Sequence, residues 1–376
     1  MYKRYKFFSW RLVLALLLTC FLLGGCGGTE TGSPDIDPQK GVEQTDQGEK
    51  AERTFIDDAG REVTIPVEIN KVFSANHIGT LLVYTINPDK IAGWNGELRP
   101  GEIKFFDEKY HGLPVLGSWH ASSTGNIEDL LRAKPDVIVN TSFANVFDQG
   151  FIEDLQEQTK IPVVHLFVEL EEIDKTYDKL GELMNEKEVT DRLAAYCKKT
   201  VAEVKDKAEQ ISEEERVGVY CAMGPNGLST APVGSHQVQV LEMIKGINVA
   251  DVELPPGMAG MTDVSLEQVL HWDPTVILSW SSGQGGNYQG ITTDPDWKDV
   301  AAVKNKRVYE IPDMPASWFA NPPSVNRILG LKWAGHLLYP EIFDYDIVQE
   351  AKDFYKLFYH YELTDEEAAE LLKNAL

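Results

Sequence analysis

Cysteine and histidine are scarce and scattered in this chain of 376 residues, which has four cysteines and eight histidines. No His-x-His pair or close Cys/His/carboxylate group has the spacing of metal ligands, so a bare transition-metal site is not expected. The Gly-x-Ser-x-Gly and His-Glu-x-x-His motifs and the phosphate-binding loop are also absent, which argues against the alternative of an exported hydrolase. We therefore expect no enzymatic activity and no resident cofactor.

Basic residues are outnumbered, with 35 Lys and Arg against 59 Asp and Glu and a formal net charge of -24. Such a chain is repelled by phosphate backbones and by anionic lipid surfaces, so we expect no nucleic-acid partner and no flat attachment to a membrane. Hydrophobic residues make up 43% of the sequence. This is enough to build two cores of ordinary domain size.

No apolar run is long enough to span a bilayer comfortably, since the longest, residues 12–23, falls short of the roughly 20 residues required. Four basic residues precede it, and Leu23-Gly24-Gly25-Cys26 follows. This order is typical of a bacterial export signal with a lipobox, so residues 1–26 are predicted to be a lipoprotein signal peptide with Cys26 as the lipidation site. The alternative is a signal-anchor helix with a chance cysteine. Residues 27–53 are polar and are predicted to form a disordered tether.

Two cysteines follow the signal region. Cys197 falls in a helical stretch and Cys221 near the end of a strand. Nothing in the sequence pairs them, so two buried thiols are favoured and a disulfide stays open as the alternative.

One segment occurs twice. "NIEDLLRAKPDVIV" (residues 126–139) returns as "SLEQVLHWDPTVIL" (residues 265–278). Each copy starts with a capping residue and an acidic first turn, which favour a helix N-terminus, and each helix is stopped by a proline. The apolar run after each proline is typical of a strand buried on both faces of a parallel sheet. The repeat predicts two similar α/β lobes with a site in the crevice between them.

The domain organisation follows from this pattern. We predict an N-terminal α/β lobe at residues 54–170, a linking helix at 171–212 and a C-terminal α/β lobe at 213–376. Asp57 and Asp58 lie in a predicted hairpin at the start of the first lobe and are interpreted as solvated turn residues. The spacing of apolar residues predicts a break in the linking helix near Asn185.

Several motifs carry a family resemblance: "DDAGREVTIP", the two Glu-containing repeats, "DPDWKDVAAVKNKRVYEIP" and "NRILGLKWAGHLLYPEIF". From residue 54 onward the chain resembles the substrate-binding proteins of ABC importers for iron-siderophore complexes, haem and cobalamin. The resemblance implies the class III periplasmic-binding-protein fold, in which two Rossmann-like lobes are joined by a long helix. It also implies the partners: an ABC permease dimer with its ATPase and a small-molecule metal chelate, with a monomeric protein held to the membrane by its lipid.

The resemblance also implies two permease-docking residues. In that family one glutamate per lobe pairs with permease arginines, and by motif position these are Glu128 and Glu267. A carboxylate in an exposed first helical turn can accept two parallel hydrogen bonds from a guanidinium. The alternative is that both glutamates only favour their helix N-termini.

Candidate ligand residues follow the predicted strands at the crevice. Indole offers a flat face and one donor, which suits a bulky chelate such as a catecholate complex, a porphyrin or a corrinoid, and imidazole can ligate iron or cobalt. Each tryptophan could instead pack beneath a loop, and each histidine could be an ordinary loop residue. The predicted ligand-binding residues are His77, Trp94, Trp119, His120, Asn145, Trp280, Trp318, Phe319 and Arg327.

The arginines bear on the class of ligand. Only Arg99 and Arg327 lie near predicted crevice segments, which weakens the case for an anionic siderophore and leaves room for a neutral or corrinoid ligand. Relatives also carry small oxyanions such as molybdate, and the Gly-rich segment 281–290 could offer backbone N–H groups to one. The same segment could equally be a lid or a surface loop.

Overall fold

The computed structural model describes residues 51–119, 124–253 and 260–376. Every described element lies in one compact unit, Lys50–Leu376. The predicted signal peptide, the lipidation site Cys26, the tether up to residue 50 and the candidate His120 lie outside the described residues. Within those residues, no helix combines the length and apolar character needed to cross a membrane.

The strands are short, and those of the parallel sheets are mostly buried. In chain order they are β1 (Glu52–Ile56), β2 (Glu62–Pro66), β3 (Val72–Ser74), β4 (Val137–Ser142), β5 (Val163–Phe167), β6 (Gly218–Ala222), β7 (Ser229–Thr230), β8 (Ile247–Asn248), β9 (Thr262–Asp263), β10 (Val276–Ser279) and β11 (Val308–Glu310).

Helices connect these strands and close the chain. They are α1 (His77–Ile86), α2 (Ile127–Ala133), α3 (Gln149–Thr159), α4 (Ile173–Met184), α5 (Lys187–Ala208), α6 (Gln239–Met243), α7 (Leu266–Trp272), α8 (Tyr288–Thr293), α9 (Ala301–Lys304), α10 (Arg327–Leu338), α11 (Ile347–Tyr359) and α12 (Asp365–Leu371).

Two parallel sheets define the two lobes. The sheet of the first lobe has the strand order β3-β4-β5, and that of the second has the order β11-β10-β6-β8. The pairs β1–β2 and β7–β9 are antiparallel. The mixed α/β architecture with two Rossmann-like lobes is therefore confirmed.

The repeated segment folds in the same way in both copies. The side chain of Asn126 caps α2, and that of Ser265 caps α7. Both helices end in the left-handed conformation, at Lys134 (φ 51) and Asp273 (φ 43), before the proline that leads into the next strand. Those strands, β4 and β10, are fully buried and lie between two neighbours in their sheets. The prediction of two equivalent helix–strand units is confirmed.

The connection between the lobes consists of α4 and α5, which pack against each other. Asn185 separates them and has φ 58, a conformation that asparagine tolerates better than most residues. The predicted break near Asn185 is confirmed. The longer helix, α5, has 22 residues and spans about 33 Å at 1.5 Å per residue.

The closing helix α11 packs on the first lobe. The ring centroids of Tyr359 and Tyr84 lie 6.3 Å apart, and those of Tyr355 and Phe105 lie 5.2 Å apart. One hydrophobic cluster therefore runs continuously through both lobes. The segment predicted as the C-terminal lobe, 213–376, contributes packing to both lobes, and any rotation between them has to break aromatic contacts.

The N-terminal hairpin differs from the prediction at two points. β1 begins at Glu52, inside the predicted tether, because the Arg53 guanidinium donates to Glu182 O at 2.7 Å and Leu183 O at 2.9 Å. Asp57 is buried rather than solvated, and it accepts hydrogen bonds from the Arg61 guanidinium and the His165 backbone. Its carboxylate therefore joins the hairpin to the first sheet.

Both cysteines of the described part, Cys197 and Cys221, are buried free thiols, as predicted. Burial raises the pKa of the Cys221 thiol to about 12, so it is protonated and unreactive at neutral pH.

Candidate functional site

The carboxyl ends of the parallel strands meet in a crevice between the lobes, and a direct aromatic contact bridges it. Phe143 follows β4 in the first lobe, and its ring stacks on the imidazole of His236 in the second lobe, with centroids 4.4 Å apart and planes at 17°. Both residues line a cavity of about 590 Å³. In open α/β sheets, ligands bind beyond the carboxyl ends of the strands, so this cavity is a candidate ligand site.

A second contact crosses the crevice at Arg99. Its Nη1 donates to Asp313 Oδ2 at 2.9 Å, and its Nη2 donates to the carbonyl oxygens of Asp313 at 3.0 Å and Pro315 at 3.2 Å. Within its own lobe, Nε donates to Glu102 Oε2 at 2.6 Å. A cavity of about 460 Å³ opens beside this contact. The guanidinium is therefore committed to protein acceptors and has little left for a ligand.

Arg327 is buried at the start of α10, next to the Phe143–His236 stack. Its guanidinium carbon lies 5.9 Å from the Phe143 ring centroid, and its Nη2 donates to the carbonyl oxygen of His236 at 3.3 Å and to Gln239 Oε1. Burial lowers the pKa of Arg327 to about 10, an effect that Glu169 opposes. The side chain is still charged at neutral pH, and a buried cation attracts an anion strongly.

Five of the nine buried side-chain atoms without a hydrogen-bond partner in the described residues belong to crevice segments, and the other four belong to Arg53, Tyr196, Arg216 and Thr230. Among the described residues, the donors Trp119 Nε1, Trp280 Nε1 and Arg327 Nε have no hydrogen-bond partner, nor do the acceptors Gln237 Oε1 and Gln284 Oε1. An unsatisfied buried polar group costs about 1–3 kcal/mol. Proteins keep unpaired buried polar groups at positions where a ligand or an ordered water supplies the missing partner.

The two tryptophans with unpaired N–H groups are held by close backbone packing. A Cβ at Gly125 would lie 2.2 Å from Trp119 Cε2, and a Cβ at Gly286 would lie 1.9 Å from Trp280 O. Only glycine fits at either position. Gly125 therefore fixes the position of the Trp119 indole in the first lobe, and Gly286 fixes the backbone of Trp280 in the second.

Three more aromatic candidates lie in the hydrophobic core, to which Trp280, at 4% exposure, also belongs. Trp94 is buried among aromatic rings, and its Nε1 donates to Tyr110 O at 2.9 Å. Trp318 and Phe319 are fully buried, and Trp318 Nε1 lies 3.4 Å from Tyr355 Oη. These three side chains support the crevice from beneath and present no free aromatic face. Asn145, by contrast, is exposed and lines the cavity beside Phe143.

The Gly-rich segment folds into helical turns. Gln284, Gly285 and Gly286 donate their backbone N–H groups to residues within the same turn, and Ser282 donates to Glu310 Oε1. These N–H groups are therefore occupied. Of the two interpretations left open for this segment, an oxyanion-binding loop and a lid or surface loop, these contacts favour the second.

His77 opens α1 at the edge of the crevice. Burial and the nearby Arg99 lower the pKa of its imidazole to about 4, so the ring is neutral at pH 7. In the unfolded chain the pKa is about 6.5. Because the folded protein takes up this proton only near pH 4, His77 should reduce the free energy of unfolding as the pH falls from about 6.5 towards 4.

The replacement His77→Gln tests this pH dependence. We expect the variant to lose less unfolding free energy than the wild type between pH 7 and pH 4.5, measured by urea denaturation at each pH. The exposed His271→Gln change is the control and should follow the wild type. Equal losses in the wild type and His77→Gln would contradict a histidine held neutral by the fold.

The two predicted docking residues occupy equivalent positions on the repeated helices. Glu128 lies in the first turn of α2, Glu267 lies in the first turn of α7, and both side chains are exposed.

Sequence reasoning missed three residues of the crevice: His236, Gln237 and Gln239. They stand in "GSHQVQ", a short polar stretch that runs from the glycine turn at Gly234 to the first residue of α6. Polar residues just ahead of a helix are a signal that could have identified them. Among residues 51–119, 124–253 and 260–376, no group of three or more His, Cys, Asp or Glu side chains is arranged to hold a metal ion.

Comparison with known proteins identifies the family. Residues 109–315, more than half of the chain, match the model described as periplasmic binding protein. The chain therefore belongs to the periplasmic binding protein family. It is the substrate-binding component of an ABC importer, a transport protein rather than an enzyme.

Three similar proteins illustrate the relationship. The molybdate-binding protein MolA of Haemophilus influenzae is 27% identical over 348 residues, which cover 85% of this chain and 94% of MolA. The uncharacterized ABC transporter substrate-binding lipoprotein YvrC of Bacillus subtilis is 24% identical over 334 residues, which cover 88% of this chain and 96% of YvrC. An ABC transporter solute binding protein from Sulfurospirillum deleyianum has a solved structure with a TM-score of 0.77 and 28% identity, covering 85% of this chain and 99% of that one.

Proposed function

We propose that this binding protein captures a small oxyanion of the molybdate kind between its lobes and delivers it to the permease. The observation that carries the proposal is the set of unpaired buried donors, Trp119 Nε1, Trp280 Nε1 and Arg327 Nε. A deprotonated oxyanion only accepts hydrogen bonds, so it complements a site that has donors to spare. The charge of Arg327 adds attraction for an anion.

Similarity to MolA supports the same ligand class. MolA is a molybdate-binding protein and aligns with this chain over most of both lengths. The size of the site also agrees, because the stacked Phe143–His236 pair and the Arg99–Asp313 contact both cross the crevice. Cavities of about 590 and 460 Å³ lie beside these two bridges, a size that suits a small ligand and requires no separation of the lobes.

A compact metal chelate, the ligand class predicted from the sequence, is the second candidate. The neutral imidazole of His77 favours it, since imidazole in this form can ligate a chelated iron. The unpaired oxygens Gln237 Oε1 and Gln284 Oε1 also suit a ligand that carries hydroxyl or amide donors. A porphyrin or corrinoid is less well supported, because Trp94 and Trp318 are buried and offer it no face.

Delivery to the permease is proposed to use Glu128 and Glu267. Each is an exposed carboxylate in the first turn of a repeated helix, one on each lobe. This arrangement is complementary to a pair of arginines on a two-fold permease dimer, because a guanidinium can bind each carboxylate through two parallel hydrogen bonds.

We also propose that the protein is exported and held to the membrane by a lipid at Cys26. The basic start, the apolar run and Leu23-Gly24-Gly25-Cys26 support this, as does the lipoprotein name of YvrC. The order of a signal at 1–26, a tether, two lobes and a link at 171–212 is proposed as the domain organisation.

Removal of the indole donors tests the ligand class. In Trp280→Phe and Trp119→Phe, affinity for molybdate should fall about tenfold to a hundredfold, since a hydrogen bond to a charged group contributes about 1.5–3 kcal/mol. The measurement is calorimetric titration of residues 50–376. Trp297→Phe, in the core of the second lobe, is the control for loss of ring volume and should bind normally. Normal affinity in both crevice variants would rule out these donors.

A further inference from the structure

Arg99 connects parts of the molecule that are far apart in sequence. Its guanidinium donates to Asp313 and Pro315, which lie 214 and 216 residues further along the chain in the second lobe. Glu102 in the first lobe accepts from both the side-chain Nε and the backbone N–H of Arg99. Four hydrogen bonds thus fix the guanidinium plane, and three of them cross between the lobes.

The partners of Arg99 are more deeply buried than Arg99 itself. The side chain of Asp313 is 8% exposed and that of Glu102 is 6% exposed, against 32% for Arg99. Buried carboxylates need a cation held in good geometry, and the planar fork of arginine provides it where the single ammonium of lysine does not. Loss of the fork leaves two largely desolvated carboxylates without a shared cation, and their repulsion favours separation of the lobes.

Close packing surrounds this contact on both lobes. A Cβ at Gly101 would lie 2.8 Å from Met314 Cε, and a Cβ at Gly283 would lie 3.2 Å from Asp313 Oδ2. On the far side, the Tyr355 hydroxyl of α11 donates to the Met314 carbonyl oxygen. The segment 313–315 is therefore clasped between the first lobe and α11.

We propose that Arg99 is a positioning residue that clamps segment 313–315 of the second lobe onto the first lobe and so fixes the width of the crevice before any ligand binds. A crevice of fixed width selects ligands by size and avoids the cost of closing the lobes on binding. The proposal goes beyond the proposed function and does not depend on which ligand is carried.

The distance between the lobes can be measured directly by double electron–electron resonance. Spin labels are placed at Arg132→Cys on α2 and His271→Cys on α7, two exposed and repeat-equivalent positions on different lobes. Cys197 and Cys221 are buried and do not take up label. The protein is residues 50–376, the compact unit that contains every described element, without added ligand.

We expect one narrow distance distribution in the otherwise unchanged protein and a clearly broader one in Arg99→Lys. The matched control is Arg61→Lys, because Arg61 makes an arginine–aspartate pair of similar geometry with Asp57 inside the first lobe. It should keep the narrow distribution. The milder change Asp313→Asn keeps the shape of the side chain and should give an intermediate broadening. If Arg99→Lys folds poorly, the distance distribution of Asp313→Asn tests the clamp in its place.

Two results would overturn the proposal. One is a distribution in both Arg99→Lys and Asp313→Asn that matches the unchanged protein. The other is an equal broadening in Arg61→Lys, which would mean that the loss of any buried arginine pair loosens the fold. Because no ligand is present, failure here is distinct from failure of the oxyanion assignment.

Discussion

Reversing the two glutamates proposed to dock on the permease, Glu128→Lys with Glu267→Lys, should reduce import to less than about a tenth of the wild-type rate while ligand binding stays unchanged. Both side chains are exposed on the repeated helices α2 and α7 and are absent from the crevice contacts. Losing one partner of a hydrogen-bonded charge pair at an interface costs about 2–5 kcal/mol, and each lysine would also repel the arginine proposed as its partner on the permease. The measurement is uptake in cells, paired with calorimetric binding to the purified protein.

The control for this prediction carries the same change of net charge elsewhere. Glu153→Lys with Glu214→Lys alters two exposed glutamates, one on each lobe, away from α2 and α7. Import should be near normal. If the docking variant also loses ligand binding, or if the control loses import to the same extent, the assignment of Glu128 and Glu267 to the permease is wrong.

The replacement Gly330→Ala should destabilise the protein by about 3 kcal/mol through overpacking. Gly330 lies inside α10, where an added Cβ would come within 1.6 Å of the Trp318 carbonyl oxygen. Helix propensity alone predicts the opposite sign, a gain of about 1 kcal/mol for alanine. The close approach matters for the site because α10 begins with Arg327 and packs on the segment that follows Asp313.

Urea unfolding followed by circular dichroism measures this effect. The control Gly112→Ala is at an exposed glycine with no atom within 4 Å of the added Cβ, and it should change stability only slightly. A Gly330→Ala variant as stable as the control would mean that α10 can move away from Trp318. The helix would then not be a rigid support for the crevice.

The elements that could be predicted from the sequence are those with strong local signals. The two copies of the repeat were recognisable because a capping residue, an acidic first turn, a proline and an apolar run all lie within 14 residues. Their helices, α2 and α7, and their strands, β4 and β10, form as expected. The break at Asn185 follows from the same kind of local information, since asparagine adopts positive φ at low cost.

The side chains of the crevice could be predicted only in part. Position after a strand places Trp94, Trp280 and Trp318 near the crevice, but it does not determine which way each side chain turns. The backbone carbonyl of Tyr110, sixteen residues after Trp94, accepts a hydrogen bond from the Trp94 indole N–H, and this bond holds the Trp94 ring in the core. The contacts that cross the crevice, Phe143 with His236 and Arg99 with Asp313, join residues far apart in sequence, and periodicity carries no information on such pairs.

The path of α11 was also beyond local reasoning. Its amphipathic pattern predicts a helix with one apolar face but does not indicate which lobe covers that face. In the folded protein the first lobe covers it, because Tyr355 packs on Phe105 and Tyr359 packs on Tyr84. The result is a continuous core through both lobes, which the division at residue 213 did not anticipate.

The most direct test of the central claim is a tryptophan-fluorescence titration of residues 50–376 with molybdate, tungstate, ferric siderophores, haemin and cobalamin. We expect saturable quenching by molybdate and tungstate that is weakened in Trp280→Phe, because the indole N–H groups of Trp119 and Trp280 are proposed to donate to the oxyanion. Saturable binding of a ferric siderophore, haemin or cobalamin, with no response to either oxyanion, would contradict the oxyanion proposal. It would identify a metal chelate as the ligand of the crevice.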